Sequence, residues 1–434
     1  MNIAEFEDQV IKSVRQMFLT EEPPTTDMIR TAVDGVVAIM SSLHKSLGAR
    51  DVNTDLLVKR IEASCNVYVP SILTLDDMRD HLEWFSAQCA EIQWRFWERY
   101  KTYLENNSEI PPQSIRRLDD VTDQILSRLE DPKRPNAWDR RGMVVGQVQS
   151  GKTSNYTALI CKAADAGYKL IIVLAGLHNN LRSQTQLRLD EGFLGFDTQQ
   201  RRLFNPSNIR LGVGLLHSTE LYIAHSLTNS EDTGDFNLKV ARQANMMIGG
   251  ADPVLLVVKK NAPVLTNLLK WSTKLASGNQ NSSHNTVRGV PLLLIDDEAD
   301  NASVNTNPIH DGNGNINPDL DPSTINKLIR KLLKSFAQSS YVGYTATPFA
   351  NIFIPNKTDE EKFGRDLFPR SFIINLQPPS NYFGPARLFG FTGDQESASG
   401  MPLIRPVKDY SQWILDRVML NSKEQSRRGR RQFQ

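Results

Sequence analysis

Gly146-Gln147-Val148-Gln149-Ser150-Gly151-Lys152-Thr153 is the stretch whose reading decides the fold. It satisfies the spacing G-x-x-x-x-G-K-[ST], and its surroundings suit that pattern. Before it, Gly142-Met143-Val144-Val145 is short and apolar enough for a buried strand. After it, Asn155-Tyr156-Thr157-Ala158-Leu159-Ile160-Cys161-Lys162-Ala163-Ala164 reads as a helix, completing a strand, glycine loop and helix. The glycines let main chain approach an anion where a Cβ would clash. Main-chain N–H groups and the helix N-terminus then face that anion. The residues expected to cradle phosphate are Gly146, Gln147, Gln149, Ser150, Gly151, Lys152, Thr153 and Ser154. Lys152 would reach β- and γ-phosphates and the Thr153 hydroxyl would hold Mg²⁺. A chance glycine turn is the plain alternative, and the flanking strand and helix argue against it.

A second motif lies downstream. Pro291-Leu292-Leu293-Leu294-Ile295-Asp296-Asp297-Glu298-Ala299-Asp300 is an apolar strand that ends in acid. Such a strand delivers carboxylates to its C-terminal end, where ligands bind in open α/β sheets. Asp297 is expected to hold Mg²⁺, usually through water, and Glu298 to orient or deprotonate an attacking water. A bound divalent ion would also offset the mutual repulsion of these carboxylates. Taken alone, the stretch is equally an acidic loop after a strand. A third motif follows in Tyr341-Val342-Gly343-Tyr344-Thr345-Ala346-Thr347-Pro348-Phe349-Ala350-Asn351. Thr345 and Thr347 are expected to hydrogen-bond the acidic motif and report the state of a γ-phosphate, with Asp300 counted among the coupling residues.

The rest of the chain sets bounds. It has 434 residues, enough for two or three domains, with 23% charged and 40% hydrophobic residues and a formal net charge of +1. No global basic field advertises nucleic acid, although a local groove remains open to it. No apolar run approaches the ~20 residues of a membrane span, and the acidic start Met1-Asn2-Ile3-Ala4-Glu5 is no signal peptide. Cys65, Cys89 and Cys161 are widely spaced and odd in number, which suits a reducing cytoplasm over a disulfide framework. The histidines form no H-x-x-x-H pair, so no metal is expected beyond the nucleotide's own magnesium.

Residues 1–110 read as helical throughout, including a long amphipathic stretch from Asp76 to Tyr100. Trp84, Trp94 and Trp97 in it form either a partner surface or, the preferred reading, an aromatic core. Pro111-Pro112 marks a boundary, and a helix over 114–129 leads to the glycine loop. Apolar runs at Leu170–Ala175, Val254–Val258, Leu292–Ile295 and Tyr341–Tyr344 then alternate with helical segments, the pattern of a parallel sheet with helices on both faces. Ser277–Asn285 and Asn305–Asp321 read as polar loops, the second beside the active site. Asp311-Gly312-Asn313-Gly314-Asn315 begins like a calcium loop, but Ile316 and Pro322 occupy positions that need Gly and Glu.

Asp-Glu-Ala-Asp at 297–300 followed by Thr-Ala-Thr-Pro at 345–348 resembles the superfamily-two helicases and translocases, over about residues 110–355. In that family the segment after the second core strand contacts the nucleic-acid backbone. Here it contains Leu181 and Gln184, which fit L-x-x-Q, and Arg182 as a candidate phosphate contact. A solvated helix charge is the alternative for Arg182, and Ala175-Gly176-Leu177 departs from the family's usual Pro-Thr-Arg. A closer set runs in order: Trp94-x-x-Trp97-x-x-Tyr100, the glycine loop, Val257-Val258-Lys259-Lys260-Asn261, the acidic motif, the Thr-Ala-Thr motif and Asp366-Leu367-Phe368-Pro369. As a set it resembles the bacterial Z-one domain ATPases of restriction-modification and phage-defence loci. That resemblance implies ATP and Mg²⁺ as ligands, DNA as a partner, and a possible partner ATPase of the gyrase/Hsp90/MutL type. Lys259 and Lys260 are read as contacts to nucleic-acid phosphate or to a neighbouring loop, or as solvated lysines at a strand end. The family carries an endonuclease label, which no paired-acid-plus-lysine constellation supports here.

The expected architecture is therefore a helical domain at 1–110, a RecA-like P-loop parallel-sheet domain at 111–355, and an incomplete second domain with a basic tail at 356–434. The leading expectation is Mg²⁺-dependent ATP hydrolysis coupled to DNA translocation or remodelling in phage defence. The alternative is an ATP-gated assembly switch that recruits a partner protein. A nuclease ranks last. A second lobe would supply arginine fingers, each worth ~10³ or more in rate, so weak hydrolysis is expected of this chain alone.

Overall fold

The structure, a computed structural model, describes residues 3–18, 24–43, 52–65, 73–106, 110–146, 151–199, 209–216, 223–244, 248–278, 286–301, 303, 324–352 and 366–376. All of these belong to the first of two compact units, Met1–Asn381 and Tyr382–Gln434. The loops expected at Asn305–Asp321 and over most of 277–285, and the basic tail, lie outside the described residues, as do Gln147, Gln149 and Ser150 of the glycine loop.

The chain opens with helices α1 (Ile3–Met17), α2 (Thr26–Leu43) and α3 (Thr54–Cys65), then strand β1 (Leu73–Asp76). Short α4 (Phe85–Gln88), α5 (Arg95–Glu105) and α6 (Pro112–Arg128) lead into β2 (Trp138–Gly146) and α7 (Lys152–Ala166). There follow β3 (Leu170–Ala175), α8 (Asn179–Leu189), β4 (His225–Ser226), α9 (Leu238–Gln243), β5 (Val254–Val258) and α10 (Ala262–Gly278). The last elements are β6 (Leu292–Asp297), α11 (Thr324–Lys334), β7 (Gln338–Thr345), α12 (Phe349–Ile352) and β8 (Phe372–Leu376).

The result is an α/β fold around an eight-stranded sheet of order β1-β8-β2-β7-β6-β3-β5-β4. Only the β1–β8 pairing is antiparallel. Side chains alternate across the sheet, as its geometry requires. Ile171, Val173, Leu255, Val257, Leu293 and Ile295 join one core with α5, α6 and α7. Leu170, Ile172, Leu174, Val254, Leu256 and Leu294 join the other with α10 and α11. Both faces are covered, so β3 and β5 are apolar at every position and β6 is apolar up to Ile295. Each such side chain contributes roughly 1.5–3 kcal/mol by leaving water.

Helices α1 to α3 bury a separate cluster that includes Phe6, Val10, Val14, Ile29, Val33, Val37, Leu57 and Ile61. The reading of 1–110 as helical throughout is corrected at β1, which pairs Leu73–Asp76 with Phe372–Asn375. The expected long helix from Asp76 is also broken. Trp84 is 4% exposed and Trp97 2% exposed, and both belong to the sheet's core, with Trp94 packed against it. Core packing thus answers the choice left open for the tryptophans. The α5 N-terminus is capped from α7: Asp165 accepts the N–H groups of Phe96 at 3.0 Å and Trp97 at 2.9 Å. From beyond the expected boundary at 355, β8 enters the same sheet between β1 and β2.

Candidate functional site

Parallel registry brings the three motifs to one edge of the sheet. Val145, at the end of β2, is level with Thr345 of β7; Tyr344 is level with Asp297 of β6; and Asp297 is level with Ala175 of β3. The threonine strand thus lies between the glycine-loop strand and the acidic strand. A cleft of about 940 Å³ opens at this edge. Its walls are Gly151 and the first residues of α7, Lys152, Thr153 and Ser154; Asp297 at the end of β6 with Glu298, Asp300 and Asn301 beyond it; Thr345 at the end of β7 with Ala346 and Thr347 beyond it; and Leu181, Gln184, Thr185 and Arg188 from α8.

At the first wall, Gly151 adopts φ +82° with no atom near the position of a Cβ, so the requirement for glycine is conformational. Lys152 Nζ donates to Gly146 O at 3.0 Å, folding the side chain back over its own loop. Partial burial lowers the Lys152 pKa, while Asp297, Asp300 and Glu298 oppose that shift. The first turn of α7 is held from both sides. Tyr344 Oη donates to Asn155 Oδ1 at 2.8 Å, and the Tyr100 ring of α5 is buried in the core that α7 shares. This gives the Trp-x-x-Trp-x-x-Tyr spacing a physical role, because α5 buttresses the residues that follow the glycine loop.

The second wall is a turn of unusual geometry. Glu298 has φ +54°, the one positive φ at a non-glycine among the described residues. Strain of this kind costs roughly 1–3 kcal/mol and gathers at functional sites. The turn is restrained at several points. Ala299 N–H donates to Tyr344 O at 2.9 Å, and Asn351 Nδ2 donates to Ala299 O at 2.9 Å. Gly343 makes room for it, since a Cβ there would lie 2.9 Å from Ala299 Cβ. Glu298 is exposed to the cleft, while Asp297 is half-buried. Burial raises the Asp297 pKa, with Lys260 opposing and Glu298 adding to the rise. The Tyr156 hydroxyl donates to Asp297 Oδ2 at 3.3 Å. Tyr156 follows Thr153 by three positions on α7, so this bond ties the helix that carries Thr153 to Asp297.

The third motif closes the arrangement. Thr345 Oγ1 donates to Asp300 Oδ1 at 2.7 Å, Thr347 Oγ1 donates to Asp300 Oδ2, and Thr347 N–H donates to Thr345 Oγ1 at 2.9 Å.

The candidate nucleic-acid residues divide. Gln184 is exposed and lines the cleft. Lys259 is half-buried and its ammonium is engaged by Asn179 Oδ1. As phosphate contacts Arg182 and Lys260 are corrected, since neither reaches solvent; Lys260 instead meets a neighbouring loop, the other contact read for it. Arg182 is 0% exposed and donates to the carbonyls of Asn229, Glu231 and Gly234. Lys260 is 1% exposed and paired with Asp296 at 2.7 Å. Sequence reasoning missed Tyr156, Thr185 and Arg188. Tyr156 follows Thr153 by three positions and Arg188 follows Gln184 by four, so helical spacing was the available signal.

Among the described residues, no three His, Cys, Asp or Glu side chains form a group suited to hold a metal by themselves. Magnesium on a nucleotide needs less, since phosphates and waters fill most of its six positions. Thr153 and Asp297, which line the same cleft, fit that requirement, and the cleft's volume lies within the range of small-molecule sites. No helix among the described residues is long and apolar enough to cross a membrane. No protein-family model matches the chain, and no curated protein is detectably similar to it.

Proposed function

We propose that this chain is a RecA-like P-loop ATPase. The observation that carries the reading is the shared cleft: Lys152 and Thr153 face Asp297 and Glu298, residues far apart in sequence. The placement of β7 between the glycine-loop strand and the acidic strand supports it. ATP enters as substrate with its phosphates against the α7 N-terminus, where the helix dipole and free N–H groups favour negative charge. Lys152 neutralises the terminal phosphates. Thr153 and Asp297 would hold Mg²⁺, which would supply neutralisation of phosphate charge. Glu298 orients a water for in-line attack and takes its proton. Asp300 ties the acidic turn to Thr345 and Thr347, so a change at the γ-phosphate is passed to β7 and α12.

In this reading hydrolysis drives DNA translocation or remodelling in a defence setting, with DNA held through its backbone along the cleft's α8 side at Gln184 and Arg188. A specific observation favours a second reading, the ATP-gated assembly switch. Burial of Arg182 and Lys260 removes two of the expected phosphate contacts, and a partner protein then takes the place of DNA. ATPase rates with and without DNA separate the two. Stimulation by DNA that is lost in Glu298→Gln supports the motor. Stimulation by a partner ATPase alone supports the switch, and ATP turnover unchanged by Glu298→Gln contradicts both.

A further inference from the structure

The end of β5 carries a lysine that the reading above leaves without a role. Lys260 Nζ lies 2.7 Å from Asp296 Oδ1, and it donates to Glu298 O at 2.6 Å and to Asn301 O at 3.2 Å. Two of the ammonium's contacts are thus hydrogen bonds to main-chain carbonyls, and the third is an ion pair with a buried carboxylate. Asp296 Oδ2 in turn accepts from Tyr341 Oη at 2.7 Å. The lysine is itself anchored, its N–H donating to Gly176 O at 3.0 Å. The ammonium therefore grips both ends of the turn Glu298–Asn301 from behind, on the side away from the cleft.

That turn needs a grip. Its first residue is a glutamate in the left-handed region, a conformation L-residues with a Cβ adopt only under restraint. The Glu298 carbonyl accepts both Lys260 Nζ at 2.6 Å and Asn301 N–H at 2.8 Å. Rotating Glu298 back to negative φ would turn that carbonyl away from a buried cation. We propose that Lys260 is a positioning residue: it fixes the left-handed turn and so aims the Glu298 carboxylate into the cleft. The role in turnover rests on the reading of Glu298 as the group that orients water; the role in the turn's geometry does not.

Lys260→Met alone strands the Asp296 carboxylate in the interior and destabilises the fold. The informative variant is Lys260→Met with Asp296→Asn, whose amide oxygen still accepts from Tyr341. Two measurements on the full chain test the proposal. The first is thermal melting of Glu298→Gly and Glu298→Ala in both backgrounds. In the wild-type background glycine melts higher, by about 2 °C, because it carries no penalty at positive φ. In the double-variant background that gap closes. A gap that persists overturns the proposal whether or not the chain hydrolyses ATP. The second is steady-state hydrolysis of Mg–ATP. The double variant recovers most of the melting temperature and keeps KM within about threefold, while kcat stays down by about 10–100-fold. Recovery of kcat together with stability shows that the cluster only supports the fold, and overturns the catalytic half. Absence of turnover in the wild-type chain, with the gap closing as expected, contradicts the reading of the site and leaves the turn's geometry assigned to Lys260.

Discussion

The start of α7 and the end of β5 lie on the same edge of one sheet, and each presents a lysine. Lys152 lines the cleft, where its ammonium donates to the carbonyl of Gly146. Lys260 is sealed behind the acidic turn, its ammonium donating to the carbonyls of Glu298 and Asn301 and lying 2.7 Å from the Asp296 carboxylate. The first stands in the wall of the cleft. The second is enclosed by its partners. What separates them is the presence of a buried carboxylate and inward-facing carbonyls beside Lys260, and a glycine turn beside Lys152. A basic residue at a strand's C-terminal end is thus no sufficient sign of ligand contact.

This contrast is sharpest in paired variants. Lys152→Ala should lower ATP turnover by about 10²-fold or more and leave the melting temperature close to wild type. Lys260→Met should do the reverse in stability, at about 3–5 kcal/mol, because a buried pair loses one partner. Chemical denaturation and ATPase assays on both variants check this, and equal loss of stability in the two would break the comparison.

The next effect concerns the link between the walls of the cleft. Thr345→Val with Thr347→Val removes both hydroxyls from Asp300, and we expect turnover to fall about tenfold with nucleotide affinity nearly unchanged. A matching rise in Kd with no change in kcat would place these threonines in binding and not in coupling.

Two glycines separate conformation from space. Gly151→Ala should cost about 1 kcal/mol, all of it from positive φ, since nothing crowds its Cβ position. Gly343→Ala should cost about 1–3 kcal/mol through overpacking on Ala299, and it should disturb turnover as well by shifting the acidic turn. Denaturation midpoints and rates of the two variants distinguish these causes.

A pH-dependent effect is expected away from the cleft. Burial raises Asp190 to about 7 from 3.8, against hydrogen bonds from Gln186 and Thr198. Above the unfolded value the unfolded chain releases this proton while the folded chain keeps it. Stability therefore falls as pH rises from about 4 to about 7, by at most ~1.4 kcal/mol per pH unit, and levels above. Asp190→Asn should flatten that slope in melting curves. A slope unchanged by the substitution would refute the assignment.

Much of this was legible in the sequence where a single physical rule governed the segment. The central strands β2, β3, β5, β6 and β7 announce themselves as apolar runs because both sheet faces are buried. β1 and β4 do not: Leu73-Thr74-Leu75-Asp76 and His225-Ser226 are short edge strands with little apolar surface to hide. The glycine, acidic and threonine motifs were legible because each has fixed spacing and chemistry. Arg182 and Lys260 were not. Their burial is decided by carbonyls from Asn229–Gly234 and Glu298–Asn301, which reach them only through the fold. The left-handed backbone at Glu298 carried no sequence signal either, since glycine is the residue that usually marks such a site.

The central claim is that Lys152 and the carboxylates at 297 and 298 act on one triphosphate. Titration calorimetry of ATP into the full chain with Mg²⁺, repeated with Lys152→Ala and Asp297→Asn, tests it most directly. The account predicts one nucleotide bound per chain, binding abolished by Lys152→Ala, and magnesium dependence lost in Asp297→Asn. Absence of ATP uptake by the wild-type chain, or uptake that both variants leave unchanged, would contradict it.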